Sequence, residues 1–174
     1  MANQTVGNQK KSSRLDANQS ATDLFLTFSL ESEQKALLPT HQLLEIVKVR
    51  LSQITAIAGL APSVMGIYNW RGDVVWIVDL ASLLGYTPLY AQDHSSRKFQ
   101  DSYHILFLRS QEMIVGFAVH HVGQMVRCDP AKIQSSALAF RNAILAEVSA
   151  GYWLDARNEA LLVLDGKALV QNVQ

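Results

Sequence analysis

The sequence predicts a mostly β fold, built from short strands in two similar halves with short helices between them. Three observations carry this. Leu24, Leu26, Phe28 and Leu30 alternate with other residues at a period of two, the pattern of a half-buried strand. Val74-Val75-Trp76-Ile77-Val78 and Ala160–Leu164 are short apolar runs, the first rich in β-branched residues. Gly66, a turn with aromatics, an apolar strand and Asp79 recur in that order as Gly151, Tyr152-Trp153, an apolar strand and Asp165. The glycines lie 85 residues apart and the aspartates 86, an internal repeat that predicts two β subdomains.

Taken in order, residues 1–22 are rich in Asn, Gln, Ser and Thr and cannot bury enough surface to offset the entropy of ordering. They are expected to form a flexible tail, with a folded domain over 23–172. The first strand covers Leu24–Leu30, and Glu31–Gln34 is its turn. Pro39 interrupts the apolar stretch 35–49, which predicts a strand, a kink and a second strand. Pro62-Ser63-Val64-Met65-Gly66 reads as one helical turn, with Pro at its start and Gly at its end. Asn69–Asp73 is a turn, and Val74–Val78 a strand expected to be buried on both faces. Asp79 is placed to cap a short helix, Leu80–Leu84, that Gly85 stops.

Residues 86–102 read as a surface loop between the halves. The second half then offers a strand at Tyr103–Leu108, a turn at Arg109–Glu112 and a strand at Met113–Val119, which Val122–Val126 is expected to continue. Residues 136–148 fit either a helix or an irregular loop. Ala160–Leu164 is a strand, followed by Asp165 and a short segment, Lys167–Val170.

Composition narrows the function. The 174 residues are 49% hydrophobic and 17% charged, enough for a sizeable core without a metal or disulfide staple. Fifteen Lys+Arg balance fifteen Asp+Glu, so the basic footprint of nucleic-acid binding is missing and no such partner is expected. The single cysteine, Cys128, allows no intrachain disulfide and suits a reducing cytoplasm; it reads as a small core residue. The N-terminus lacks the apolar core of a signal peptide, and no run approaches the roughly 20 residues of a membrane helix. A cytoplasmic protein with no direct membrane insertion is expected.

Catalytic patterns are missing. None of the nine glycines lie two apart, so there is no Gly-x-Gly-x-x-Gly fingerprint, and there is no phosphate loop and no Gly-x-Ser-x-Gly elbow. His120-His121 would point to opposite faces of a strand and cannot grip one ion. One histidine is expected at the surface and the other partly buried and hydrogen-bonded. Asp79 and Asp165 are explained by capping. Glu45, inside Leu43-Leu44-Glu45-Ile46-Val47, fits an acid–base group, a salt-bridge partner or a binding surface, and sequence physics favours the salt bridge. No catalytic residue, metal or cofactor is expected.

The segment Pro62–Leu80 contains Pro62, Gly66, Asn69-Trp70-Arg71-Gly72, an apolar strand and Asp79-Leu80. It resembles the signature of the CheW-like family, the adaptors of bacterial chemotaxis-type arrays. Leu24–Leu30, Leu43–Ile46, Ile114–Val119, Gly151 and Leu161–Asp165 extend the resemblance over about residues 23–172. It implies two intertwined five-stranded β barrels with short helices. It implies a non-catalytic adaptor that bridges the cytoplasmic tip of a methyl-accepting chemoreceptor and the regulatory domain of a CheA-like histidine kinase, in an array that controls motility. The candidate protein-binding residues are Gly66, Asn69, Arg71 and Gly72 of the signature turn, with Leu43 and Glu45 on the receptor- or kinase-facing part of the first subdomain. Arg71 suits an interface because its planar head carries five donors.

Departures from the family pattern are Trp70 for Leu, Trp76 for Pro, His120-His121 for Asp-Gly, and Lys35–Pro39 for a Tyr-Gly/Ala-Ile run. They point towards a divergent array, such as one steering type IV pilus motility or phototaxis. Three other readings stand beside this one: a related protein that only competes for the kinase or fills arrays, a small β barrel that binds a ligand or nucleic acid outside chemotaxis, and an enzyme whose distant residues converge.

Overall fold

The computed structural model describes residues 22–92, 101–135 and 143–173. Its strands are β1 (Asp23–Ser29), β2 (Lys35–Pro39), β3 (Leu43–Arg50), β4 (Val64–Trp70), β5 (Asp73–Asp79), β6 (Ser102–Ser110), β7 (Met113–Val119), β8 (His121–Cys128), β9 (Ser149–Leu154) and β10 (Ala160–Leu164). Among the described residues, three short α-helices, α1 (Leu80–Leu83), α2 (Ala143–Val148) and α3 (Gly166–Gln171), accompany them. The 136–148 stretch is thus helical from Ala143 onward. Its earlier part, most of the tail and residues 93–100 of the interhalf loop lie outside the described residues.

The strands form two five-stranded sheets. One runs β8-β1-β2-β10-β9 and the other β3-β6-β7-β5-β4. The chain starts in the first sheet with β1 and β2, builds the whole of the second with β3 to β7, and returns to the first with β8 to β10. The sheets are therefore intertwined. Each has one parallel pairing, β10 with β2 and β5 with β7, and its other ladders are antiparallel. The two sheets repeat one plan: β3 answers to β8, β4 to β9, β5 to β10, β6 to β1 and β7 to β2.

Neither sheet closes into a barrel by a continuous ladder. Past β3 the chain turns so that Thr55 exchanges backbone hydrogen bonds of 2.8 and 3.0 Å with Ile67 of β4, the opposite edge strand. Past β8, Gln134 does the same with Tyr152 of β9, at 2.8 and 2.9 Å. One bridge per sheet thus joins its two edges. The repeated glycines sit at these bridges: Gly66 has φ +144° and Gly151 φ +132°. A Cβ on Gly66 would overlap the Thr55 carbonyl, and one on Gly151 the Gln134 carbonyl. The repeat read in the sequence marks the two places where the closing segment crosses its edge strand.

Three apolar clusters follow from strand alternation. The largest lies between the sheets and takes Leu26, Phe28 and Leu38 from the first, Leu106, Leu108 and Phe117 from the second, and residues of all three helices. Each such side chain contributes about 1.5–3 kcal/mol when fully buried. Val49, Val75, Ile77, Ile105 and Phe107 fill the inner face of the second sheet. Phe25, Leu37, Cys128, Leu161 and Val163 fill that of the first. Burial pushes the Cys128 thiol up to about 11, in keeping with a core residue.

Several expectations hold. Pro39 divides β2 from β3 through a 3-10 turn. Asp79 Oδ1 accepts from the Ser82 N–H at 3.0 Å and caps α1, and Asp165 caps α3. β1 is half-buried, as its alternation predicts, although Phe25 on its less covered face also reaches the inner cluster. Others are corrected. Pro62–Gly66 is no helical turn: β4 starts at Val64, because Val64 and Gly66 pair with Val78 and Ile77 of β5. β5 is not buried on both faces, for Val74 is 68% and Trp76 38% exposed. β8 does not continue β7; the chain changes sheets near His120, and β8 pairs with β1. His120 is half-buried and His121 exposed.

Candidate functional site

The β4–β5 hairpin ends in a two-residue loop, Arg71-Gly72, with Trp70 paired to Asp73. Arg71 has φ 56° and Gly72 φ 95°. Positive φ at both positions is what a tight hairpin of this twist requires. Glycine meets it freely, whereas a left-handed conformation costs arginine about 1–2 kcal/mol. Asn69, at the end of β4, steadies the loop by accepting the Gly72 N–H on Oδ1 at 3.0 Å.

Alternation along β4 aims Tyr68 and Trp70 at the inner face of the second sheet. The Trp70 ring stacks on the fully buried Phe107 ring at 5.0 Å and 20°, and Tyr68 lies tilted at 6.2 Å from the same ring. On β3, Glu45 points the same way as Val47 and Val49, past a register shift between Leu43 and Glu45. β3 and β4 are the two edges of this sheet, and its curl brings Glu45 against the tip of the β4–β5 hairpin.

Glu45 Oε2 there accepts two hydrogen bonds and closes an ion pair. Trp70 Nε1–H donates at 2.9 Å and Arg71 Nε–H at 3.1 Å, and Arg71 Nη2 lies 3.1 Å from the same oxygen. The guanidinium also lies 5.3 Å from the Trp70 ring centre, within reach of a cation–π attraction. The Arg71 hydrogen bond, the Trp70 hydrogen bond and the nearby Arg71 charge hold the Glu45 carboxyl below the usual glutamate value, against a smaller opposing effect of desolvation. The salt bridge favoured for Glu45 is thus present. The Arg71 side chain is nevertheless 68% exposed, against 33% for Glu45, so the cation is fixed on one side and open on the other.

The six candidate residues divide in two. Glu45, Asn69, Arg71 and Gly72 meet at the hairpin tip. Leu43 packs against the large core between the sheets, and Gly66 sits farther down β4 at the Thr55 bridge. Trp70 belongs to the site but was read from the sequence only as a departure from the family pattern. Its indole N–H, beside an apolar strand, was the signal that a polar partner had to exist.

No group of three or more His, Cys, Asp or Glu side chains able to hold a metal occurs among the described residues. No helix among them is long and apolar enough to cross a membrane.

The family model for the CheW-like domain matches residues 24–174. Comparison with curated protein sequences gave no match. Among solved structures, the chain is similar to the scaffolding protein TtCheW from Thermoanaerobacter tengcongensis, with a TM-score of 0.66 and 18% identity over 83% of this chain and 89% of that one. At that identity the likeness speaks for the fold alone. Since the family model spans both sheets and the whole signature hairpin, the chain belongs to the CheW-like domain family.

Proposed function

We propose that this chain is a non-catalytic adaptor in a chemotaxis-type array that controls motility. It joins the cytoplasmic tip of a methyl-accepting chemoreceptor to the regulatory domain of a CheA-like histidine kinase. It works in the cytoplasm and is recruited to membrane-associated receptors.

One observation supports this most. Arg71 occupies a costly left-handed conformation at an exposed hairpin tip and is still held by Glu45 and Trp70. Backbone strain kept in place by surrounding contacts is a mark of functional positions. An arginine fixed on one side and open on the other suits protein recognition, because it loses less freedom on binding and keeps donors for a partner. The exposed apolar side chains Val74 and Trp76 lie on the same hairpin and add surface that an adaptor can bury.

The test is calorimetric binding of the full chain to the regulatory domain of the same organism's CheA-like kinase. The expected dissociation constant is micromolar, about 8 kcal/mol of binding free energy, and Arg71→Glu should weaken it at least tenfold with the fold intact. Absence of binding by the wild type would overturn the adaptor reading. Unchanged binding by Arg71→Glu would remove Arg71 from the interface.

A further inference from the structure

An arginine at the tip of a two-residue turn has a long, flexible side chain and would ordinarily sample many rotamers. Ordering it on binding weakens the complex. In this chain the residue before it supplies two restraints. The Trp70 ring lies beneath the guanidinium at 5.3 Å, and its Nε1–H donates to the same Glu45 oxygen that receives Arg71. Trp70 is itself anchored, since its ring stacks on Phe107 in the inner core. A chain of contacts thus runs from a fully buried ring to an exposed cation.

We propose that Trp70 is a positioning residue that sets Arg71 for its partner before the partner arrives. The proposal rests on the reading that Arg71 meets the kinase. Trp70 does not touch that partner in this account; it acts through Arg71 and Glu45. Leucine at this position would fill space but offers neither an N–H nor a π face. Phenylalanine would keep the stack and the cation–π contact and lose only the hydrogen bond.

The test uses the full chain and the kinase regulatory domain, with Trp70→Phe, Trp70→Leu, Arg71→Ala and the double variant Trp70→Leu/Arg71→Ala. Trp70→Phe is expected to weaken binding about threefold and Trp70→Leu about tenfold, while the double variant binds within about twofold of Arg71→Ala alone. Equal losses from Trp70→Leu in the wild-type and Arg71→Ala backgrounds would overturn the proposal, as would wild-type binding by Trp70→Leu. An Arg71→Ala that binds like wild type overturns the kinase-contact reading itself, and this role for Trp70 with it.

A second arm needs no partner. The Glu45 side-chain carboxyl is followed by NMR against pH in the free chain. Trp70→Phe, which keeps the ring packing, should move the Glu45 midpoint upward, because one donor to the carboxylate is gone. A merely space-filling Trp70 would leave that midpoint unmoved, and such a result overturns the proposal.

Discussion

Glu45 and Arg71 lie 26 positions apart in the chain and meet through a hydrogen bond and an ion-pair contact, each of 3.1 Å, at the seam where the two edges of one sheet come together. β3 brings the carboxylate and the β4–β5 hairpin brings the guanidinium. Lower down the same seam, Thr55 and Ile67 join the edges through the backbone. The candidate site is therefore also a closure of the fold, so the proposed binding role of Arg71 is coupled to stability at this point.

That coupling gives a pH dependence with a definite sign. The Glu45 carboxyl of the folded chain sits below its value of 4.5 in an unperturbed chain. The stabilisation it provides is complete above the unfolded value and is lost as pH falls through the folded one. Glu45→Gln should therefore be less stable than wild type at pH 7, by an amount that shrinks below pH 4.5. Urea unfolding of both proteins across pH 3–7 measures this. A gap that widens on acidification would contradict the ion pair.

The two glycines of the signature should differ in what they tolerate. Gly72 has open space around its missing Cβ, so Gly72→Ala meets only the cost of positive φ, about 1 kcal/mol. Gly66 has positive φ and the Thr55 carbonyl against it, so Gly66→Ala should cost about 3 kcal/mol or more. Chemical denaturation of the two variants decides the order. Equal losses would mean that the Thr55 bridge is not a fixed part of the fold.

Asp79 behaves oppositely to Glu45. It is 4% exposed and accepts N–H bonds from Ser82 at 3.0 Å and Leu89 at 2.8 Å. Burial nevertheless raises its carboxyl above the usual aspartate value, with the backbone donors opposing. Folding thus favours the protonated form. That contribution is full below the unfolded value and is lost as pH rises through the folded one. Asp79→Asn stays neutral, so its stability should gain on wild type as pH climbs from 4 to 7. A difference that is flat with pH would show that the carboxyl is not raised.

Much of this was legible locally. Pro39 announced the break between β2 and β3, because a ring without an N–H ends a ladder. Asp79 and Asp165 announced the starts of α1 and α3, because an acid before a short apolar run has helix N–H groups within reach. The repeat of Gly66 and Asp79 in Gly151 and Asp165 announced two related halves. Misreadings came where a distant segment decided the outcome. Val64-Met65-Gly66 carries a helix-stop pattern, yet its ladder with Val78 and Ile77 of β5 makes it strand. Val122–Val126 reads as more of the preceding strand, yet β1, about 100 positions earlier, is its partner.

The sequence by itself determined most of the strands (though not β4 or β9), the helix caps, and the Asn69–Gly72 turn with an arginine where glycine or asparagine is easier. These depend on neighbours along the chain: side-chain period, missing N–H groups and permitted φ. Only the tertiary structure decided which sheet each strand joins and which side chains face Arg71. Glu45 stands on β3, with β6, β7 and β5 between it and β4 in the order of the sheet. It reaches Trp70 and Arg71 because the sheet curls until its edges touch, and that curvature is set by packing across the whole sheet.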